Sequence, residues 1–245
     1  MKKYFTGLTD TGLVRSVNQD SYFIDESQGR FFIVADGMGG HAGGQEASRI
    51  ATETIKNYLQ DNWDTADSSE ALLQDALFQA NYAIVKEQQL HPELGDMGTT
   101  VVVLIFRGDE PWCAHVGDSR LYRFRSAKLE QITEDHTWVA RGLKAGHLKP
   151  EEARVHPLRH VLSQCLGREE LDEIDVQPVQ VQSGDRFLLC SDGLTEELSD
   201  PSITSILKSI RASDQAAKKL VDEAKDKGGR DNITVVLVTL EASPS

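Results

Sequence analysis

Four short stretches of the chain set an aspartate beside a glycine or asparagine where an apolar run meets a turn. They are Phe32-Ile33-Val34-Ala35-Asp36-Gly37, His115-Val116-Gly117-Asp118-Ser119, Leu188-Leu189-Cys190-Ser191-Asp192-Gly193 and Gly229-Arg230-Asp231-Asn232. The apolar runs have the composition of buried strands bounded by turn residues. A carboxylate gains nothing from burial, and several converging carboxylates repel one another unless cations neutralise them. Compact groups of aspartate oxygens are the material of Mg²⁺ and Mn²⁺ sites, because these hard ions take oxygen ligands. The spacing therefore points to metal-dependent hydrolysis.

Rival chemistries can be tested on the same residues. A cysteine nucleophile that grips phosphate needs an arginine six residues on, but Cys113, Cys165 and Cys190 are followed there by Ser119, Leu171 and Glu196. No Gly-x-Ser-x-Gly elbow, His-Glu-x-x-His or Cys-x-x-Cys pattern occurs. The glycine-rich turn Asp36-Gly37-Met38-Gly39-Gly40-His41-Ala42-Gly43-Gly44 loosely satisfies a dinucleotide fingerprint. That fingerprint also needs a second strand ending in an acid about 20 residues on. The segment Leu59-Gln60-Asp61-Asn62-Trp63 leads instead toward another helix, and Asp36 would repel a pyrophosphate. Water activated by hard metals is what remains.

The elements that must carry these residues follow from periodicity. Strands are expected at 30–35, 99–106, 112–116 with 121–124, 186–191 and 233–240. Helices are expected at 48–59, at 69–89 with Asp67 and Ser68 as caps, and at 213–227 up to Gly228-Gly229. Two consecutive helices and then successive strands suggest antiparallel sheets covered by helices rather than a βαβ repeat. The segment 137–170 is polar, rich in His and Arg and weakly patterned, and reads as a helical flap over the site. No linker or repeat divides the chain, so one domain is expected over 1–245, with the flap at about 137–170 as a subregion.

The net charge of −13 argues against nucleic acid as a partner. Val101 to Phe106, the longest apolar run, is far short of a membrane span. Three scattered cysteines suggest reduced thiols, and the expectation is a soluble, cytoplasmic protein.

Taken together, Arg15-Ser16-Val17-Asn18-Gln19-Asp20, Asp36-Gly37-Met38-Gly39-Gly40, Met97-Gly98-Thr99-Thr100, Gly117-Asp118-Ser119-Arg120, Ser191-Asp192-Gly193-Leu194 and Asp231-Asn232-Ile233-Thr234 resemble the metal-dependent protein phosphatase family, of the protein phosphatase 2C type, in its compact bacterial form. Each piece alone is weak; six in order across the chain are specific. The resemblance implies an α+β fold, a four-layer α-β-β-α sandwich of two antiparallel sheets flanked by helices. It implies two Mn²⁺ or Mg²⁺ ions and a third, weaker site. Asp36 would bridge the two ions, with the Gly37 carbonyl on one and Asp192 and Asp231 completing the other. Asp118 with Asp192 would form the third site, and Asp20 matches the acidic position behind the metals. Asn232 would orient Asp231, and Arg15 would grip the substrate phosphate, a task suited to its forked donors.

The implied reaction is direct attack of metal-activated water on phosphoserine or phosphothreonine, with no phosphoenzyme. Two positions depart from the family pattern. Met38 stands where animal members carry the histidine taken as proton donor, so His41, the nearest histidine, is the candidate general acid. Gln19 stands where the family has glutamate before Asp20. Within the flap, Arg168 is the candidate substrate contact. Glu196-Glu197 is expected to be a solvated helix start. The implied partners are phosphorylated proteins, either targets of bacterial Ser/Thr kinases or the nitrogen-signalling PII protein, met by a monomer. A metal-free sensor module is the rival from another class, and the completeness of Asp36, Asp192 and Asp231 argues against it.

Overall fold

The computed structural model describes residues 1–40, 43–108, 110–171 and 174–242, without the side chains of residues 150, 154 and 155. In chain order the strands are β1 (Lys2–Asp10), β2 (Asp20–Ile24), β3 (Phe31–Met38), β4 (Gly98–Thr99), β5 (Val101–Ile105) and β6 (Trp112–Val116). They continue with β7 (Arg120–Arg125), β8 (Lys128–Gln131), β9 (Asp175–Pro178), β10 (Arg186–Cys190) and β11 (Ile233–Glu241). One antiparallel sheet runs β1-β11-β10-β7-β8; the other runs β2-β3-β5-β6-β9, with β4 paired to the end of β3.

Side-chain alternation then builds the layers. In β3, Phe31, Ile33 and Ala35 face one core while Phe32 and Val34 face another; in β5, Val101, Val103 and Ile105 divide in the same way from Val102 and Leu104. Strands buried on both faces read as continuous apolar runs, which is why these were legible. The shared core between the sheets joins Phe32, Val34, Val102 and Leu104 to Phe187, Leu189, Val236 and Val238. Outside the second sheet lie α1 (Gly43–Asn62) and α2 (Ser69–Leu90), contributing Ile55, Leu59, Leu73 and Leu77. Outside the first lie α6 (Asp200–Ser209) and α7 (Ser213–Asp226), contributing Ile203, Leu207, Leu220 and Val221. The result is the four-layer helix-sheet-sheet-helix arrangement.

Several elements differ from the sequence expectation. Strand β1 was not anticipated, yet all nine of its residues pair with β11. It is an edge strand whose residues are mostly half-buried, so it keeps polar side chains and loses the apolar signature. Helix α1 starts at Gly43, earlier than expected, because the glycines themselves form its first turn. Helix α2 is capped as expected, by Ser68 accepting the Ala71 N–H at 3.0 Å. The flap contains two short helices, α3 (Trp138–Lys144) and α4 (Pro150–Val155). After β10 comes a single helical turn, α5 (Asp192–Thr195), and the Glu197 side chain beyond it is only 3% exposed rather than solvated, with Arg230 on its carboxylate at 2.8 Å. No helix among the described residues is long and apolar enough to cross a membrane.

Candidate active site

Asp36 lies near the end of β3, directly opposite Asp20 in β2. The main chain of Asp36 is tied on both sides. Its carbonyl accepts from the Thr100 N–H at 2.9 Å and the Thr99 hydroxyl at 2.8 Å, and its N–H donates to Thr100 Oγ1 at 3.2 Å. At Gly37 a Cβ would sit 1.9 Å from the Gly44 carbonyl oxygen, so only glycine lets the first turn of α1 pack against this strand end. Asp192 opens α5 at the end of β10, and Asp231 stands two residues before β11. Neighbouring central strands thus deliver carboxylates to one edge of the sandwich.

The partners of each carboxylate set its role. Asp20 Oδ2 accepts from the Ser191 hydroxyl at 2.7 Å and the Thr234 hydroxyl at 2.6 Å. Asp231 Oδ1 accepts from the Asn232 N–H at 2.8 Å, and its Oδ2 accepts from Arg15 at 2.7 Å. Asn232 was expected to orient Asp231, and its backbone N–H is what bonds that carboxylate. Its side chain staples the 11–19 loop, donating to the Thr11 and Val17 carbonyls at 2.9 and 3.0 Å and accepting the Gln19 N–H at 2.8 Å. Asn232 therefore places Arg15 over Asp231, and it is the Asn232 backbone that touches the carboxylate.

The electrostatics are those of crowded acids. Burial, then the neighbouring Asp20, Asp192 and Asp118, holds the Asp36 carboxyl well above the usual range. Burial and the charges of Asp192 and Asp135 raise Asp118, and burial raises Asp192. Asp20 is pushed up to about 7, first by burial and then by Asp192 and Asp231, against the help of its two hydroxyl donors. Glu196 also rises to about 7, by burial and by Asp192 and Asp231. Asp20 Oδ1 and Asp192 Oδ1 are buried without a hydrogen-bond partner among the described residues. An all-oxygen donor set with stranded buried oxygens and mutual repulsion fits hard divalent cations.

Above this floor lies a cleft of about 760 Å³. Arg15, Asp36, Gly37, Asp118, Asp192 and Asp231 all line it, as does Arg168 from the flap. Asp20 and Asn232, which do not line it, lie behind the floor. Arg168 is placed by α2: the Asn81 side chain accepts the Gly167 N–H at 2.7 Å and donates to the Arg168 carbonyl at 2.9 Å. His41, the candidate general acid, lies outside the described residues. Sequence reasoning missed His160 and Glu196, which line the cleft and bond to each other. They lie in weakly patterned segments, and only the fold brings residue 160 beside residue 196. His136, one residue before the flap, is buried beneath the Asp118 loop.

Residues 14–224 match the family model described as Protein phosphatase 2C. The chain belongs to that family. It is thereby one of the metal-dependent phosphoprotein phosphatases, a family of hydrolases. The serine/threonine phosphatase stp of Listeria monocytogenes is 38% identical over 234 residues, covering 94% of this chain and 93% of that protein. The crystal structure of the Mycobacterium tuberculosis serine/threonine phosphatase PstP/Ppp superposes with a TM-score of 0.90 at 37% identity, covering 98% of this chain and 99% of that one. The catalytic domain of PstP in complex with two manganese ions superposes at 0.87 and 34% identity, with the same coverage. This chain spans 44% of the full mycobacterial PstP sequence. The family membership and the two antiparallel sheets flanked by helices agree with the sequence expectation.

Proposed function

We propose that the chain hydrolyses phosphoserine and phosphothreonine in proteins at a pair of Mn²⁺ or Mg²⁺ ions, opposing Ser/Thr kinases. The observation that carries this is the convergence of Asp36, Asp192 and Asp231, crowded and partly stranded, under an arginine at the floor of an open cleft. A related catalytic domain that holds two manganese ions supports it. Asp36 and the Gly37 carbonyl, with Asp192 and Asp231, would hold the pair; Asp118 with Asp192 would hold a third, weaker ion. Bound there, two ions activate a water and neutralise the phosphoryl oxygens.

The chain's own residues do the rest. Arg15 spends one donor on Asp231 and is 52% exposed, which leaves the remainder of its fork to take phosphate oxygens. Its guanidinium feels Asp231 first, then Asp36 and Asp192, so it balances floor charge as well as binding substrate. Asp20 stands behind the floor and keeps Ser191 and Thr234 in register with it. Arg168 meets the substrate from the flap side. His41, two residues before the start of α1 in the sequence, returns the proton to the leaving seryl or threonyl oxygen.

Hydrolysis of a phosphothreonine peptide with Mn²⁺, with Mg²⁺ and with a chelator tests this. Metal-dependent release of phosphate that survives cysteine-blocking reagents is expected, since all three cysteines are buried and free. A folded protein without activity under any metal would overturn it and favour a binding module.

A further inference from the structure

Asp118 sits in the turn between β6 and β7, and that turn is gripped from both ends by two consecutive residues of another loop. At Gly117, φ is +105° and a Cβ would lie 2.6 Å from the Thr100 side chain, so the turn is pressed onto Thr100. The Gly117 carbonyl accepts the His136 N–H at 2.9 Å, and the Gly117 N–H donates to His136 Nδ1 at 3.2 Å. Because Nδ1 accepts, the ring proton resides on Nε2, which lies 3.2 Å from Asp175 Oδ2. The ring stacks on His115 at 4.5 Å between centroids, and His115 Nε2 is held by the Glu134 carbonyl at 2.7 Å. Past Asp118, the Ser119 and Thr100 hydroxyls bond at 2.7 Å, and Arg120 makes a two-point bridge to Asp135 at 2.8 and 2.6 Å. Arg120 is thus committed to Asp135 and not to Asp118.

We propose that His136 is a positioning residue for Asp118, its Nδ1 fixing the Gly117 peptide and Asp175 fixing its ring. The turn it controls is also bonded to Thr100, which receives the Asp36 N–H, so the same network joins Asp118 to Asp36. His136 is 8% exposed and does not line the cleft, so it acts on the site only through the turn. The proposal rests on Asp118 holding the third, weaker ion. Partners of this kind that orient a ligand are worth about 10-fold to 100-fold in metal affinity.

Mn²⁺ binding followed by electron paramagnetic resonance, without substrate, tests it on His136→Leu and His136→Asn. These side chains are near-isosteres, but only Asn returns an acceptor near the place of Nδ1. His136→Leu should weaken the weak class of Mn²⁺ by about tenfold or more and leave the tight ions in place, and His136→Asn should recover most of that loss. Equal behaviour of the two variants would overturn the proposal. Asp118→Ala separates the two readings. If it abolishes the weak class while His136→Leu leaves it intact, positioning fails and the third site stands. If Asp118→Ala changes nothing, the third site fails, and hydrogen exchange at the Gly117 amide decides the rest. Exchange should be about tenfold faster in His136→Leu than in His136→Asn, and equal rates would refute the grip. Should Leu prevent folding, the half-exposed Asp175→Asn replaces it. A loss of about threefold in weak-class affinity is expected there, and an unchanged isotherm would count against the proposal.

Discussion

The floor and the roof of the cleft are built on opposite plans. The floor is the ends of β3 and β10 and the residues just before β11, strands buried on both faces and continuous with the inter-sheet core. Its carboxylates are placed by bonds to the Asp36 main chain from the Thr99 hydroxyl and the Thr100 N–H, by buried hydroxyls, and by the close packing of Gly37 on Gly44. The roof carries two short flap helices that, among the described residues, bury little beyond Val139 and Ala153, and Trp138, Leu158 and Val161 stand exposed around them. A rigid floor can hold reacting groups within the tolerance that chemistry needs, whereas an exposed roof can change its side chains at little cost to stability. Floor substitutions should therefore act on turnover, and roof substitutions on which phosphoprotein is accepted.

The largest effect belongs to Asp36. Asp36→Asn should lower kcat by about 10³-fold or more, the loss that follows from several kcal/mol of charge stabilisation. It should also raise the melting temperature in chelator, because one member of a repelling buried cluster is gone. Retained turnover in a metal-replete assay would remove Asp36 from the centre. Arg15 is proposed to join floor to substrate, and Arg15→Ala should then raise KM for a phosphopeptide by about tenfold, as expected for a lost charge-assisted pair. An unchanged KM would take Arg15 out of the phosphate site.

The strain in the floor has a pH signature. Burial pushes the Asp20 carboxyl up to about 7 from an ordinary 3.8, and Asp36, Asp118 and Asp192 are raised as well. The folded chain therefore binds more protons than the unfolded one, and its stability falls as pH climbs through that window. In chelator the melting temperature should be several degrees lower at about pH 8 than at about pH 6, and saturating Mn²⁺ should flatten the difference. A metal-free melting temperature that rises over the same range would contradict the crowding of these carboxylates. The smallest effect belongs to the roof. Arg168→Ala should raise KM for a phosphoprotein by about threefold to tenfold and leave hydrolysis of a small aryl phosphate nearly unchanged. Equal losses on both substrates would erase the distinction between roof and floor.

The same division governs what could be seen in the sequence. Asp36, Asp118, Asp192 and Asp231 were legible because each stands where an apolar run meets a turn. Arg15 and Asp20 stand in polar surroundings and emerged only through their place in the ordered set of motifs. His160 and Glu196 gave no signal, since their pairing depends on the flap folding back over α5. Edge strands such as β1 were hidden by the polar residues that a half-exposed strand keeps. Nothing in the sequence marks His136, and only its bonds to Gly117 distinguish it.

The most direct measurement is the number of Mn²⁺ ions that remain with the chain after equilibration and desalting, for the native sequence, Asp36→Asn and Asp231→Asn. Two tightly held ions per native chain are expected, as in the related PstP catalytic domain, with fewer in both variants. A native chain that retains none, or variants that retain as many as the native chain, would contradict the assignment of these carboxylates to a metal centre.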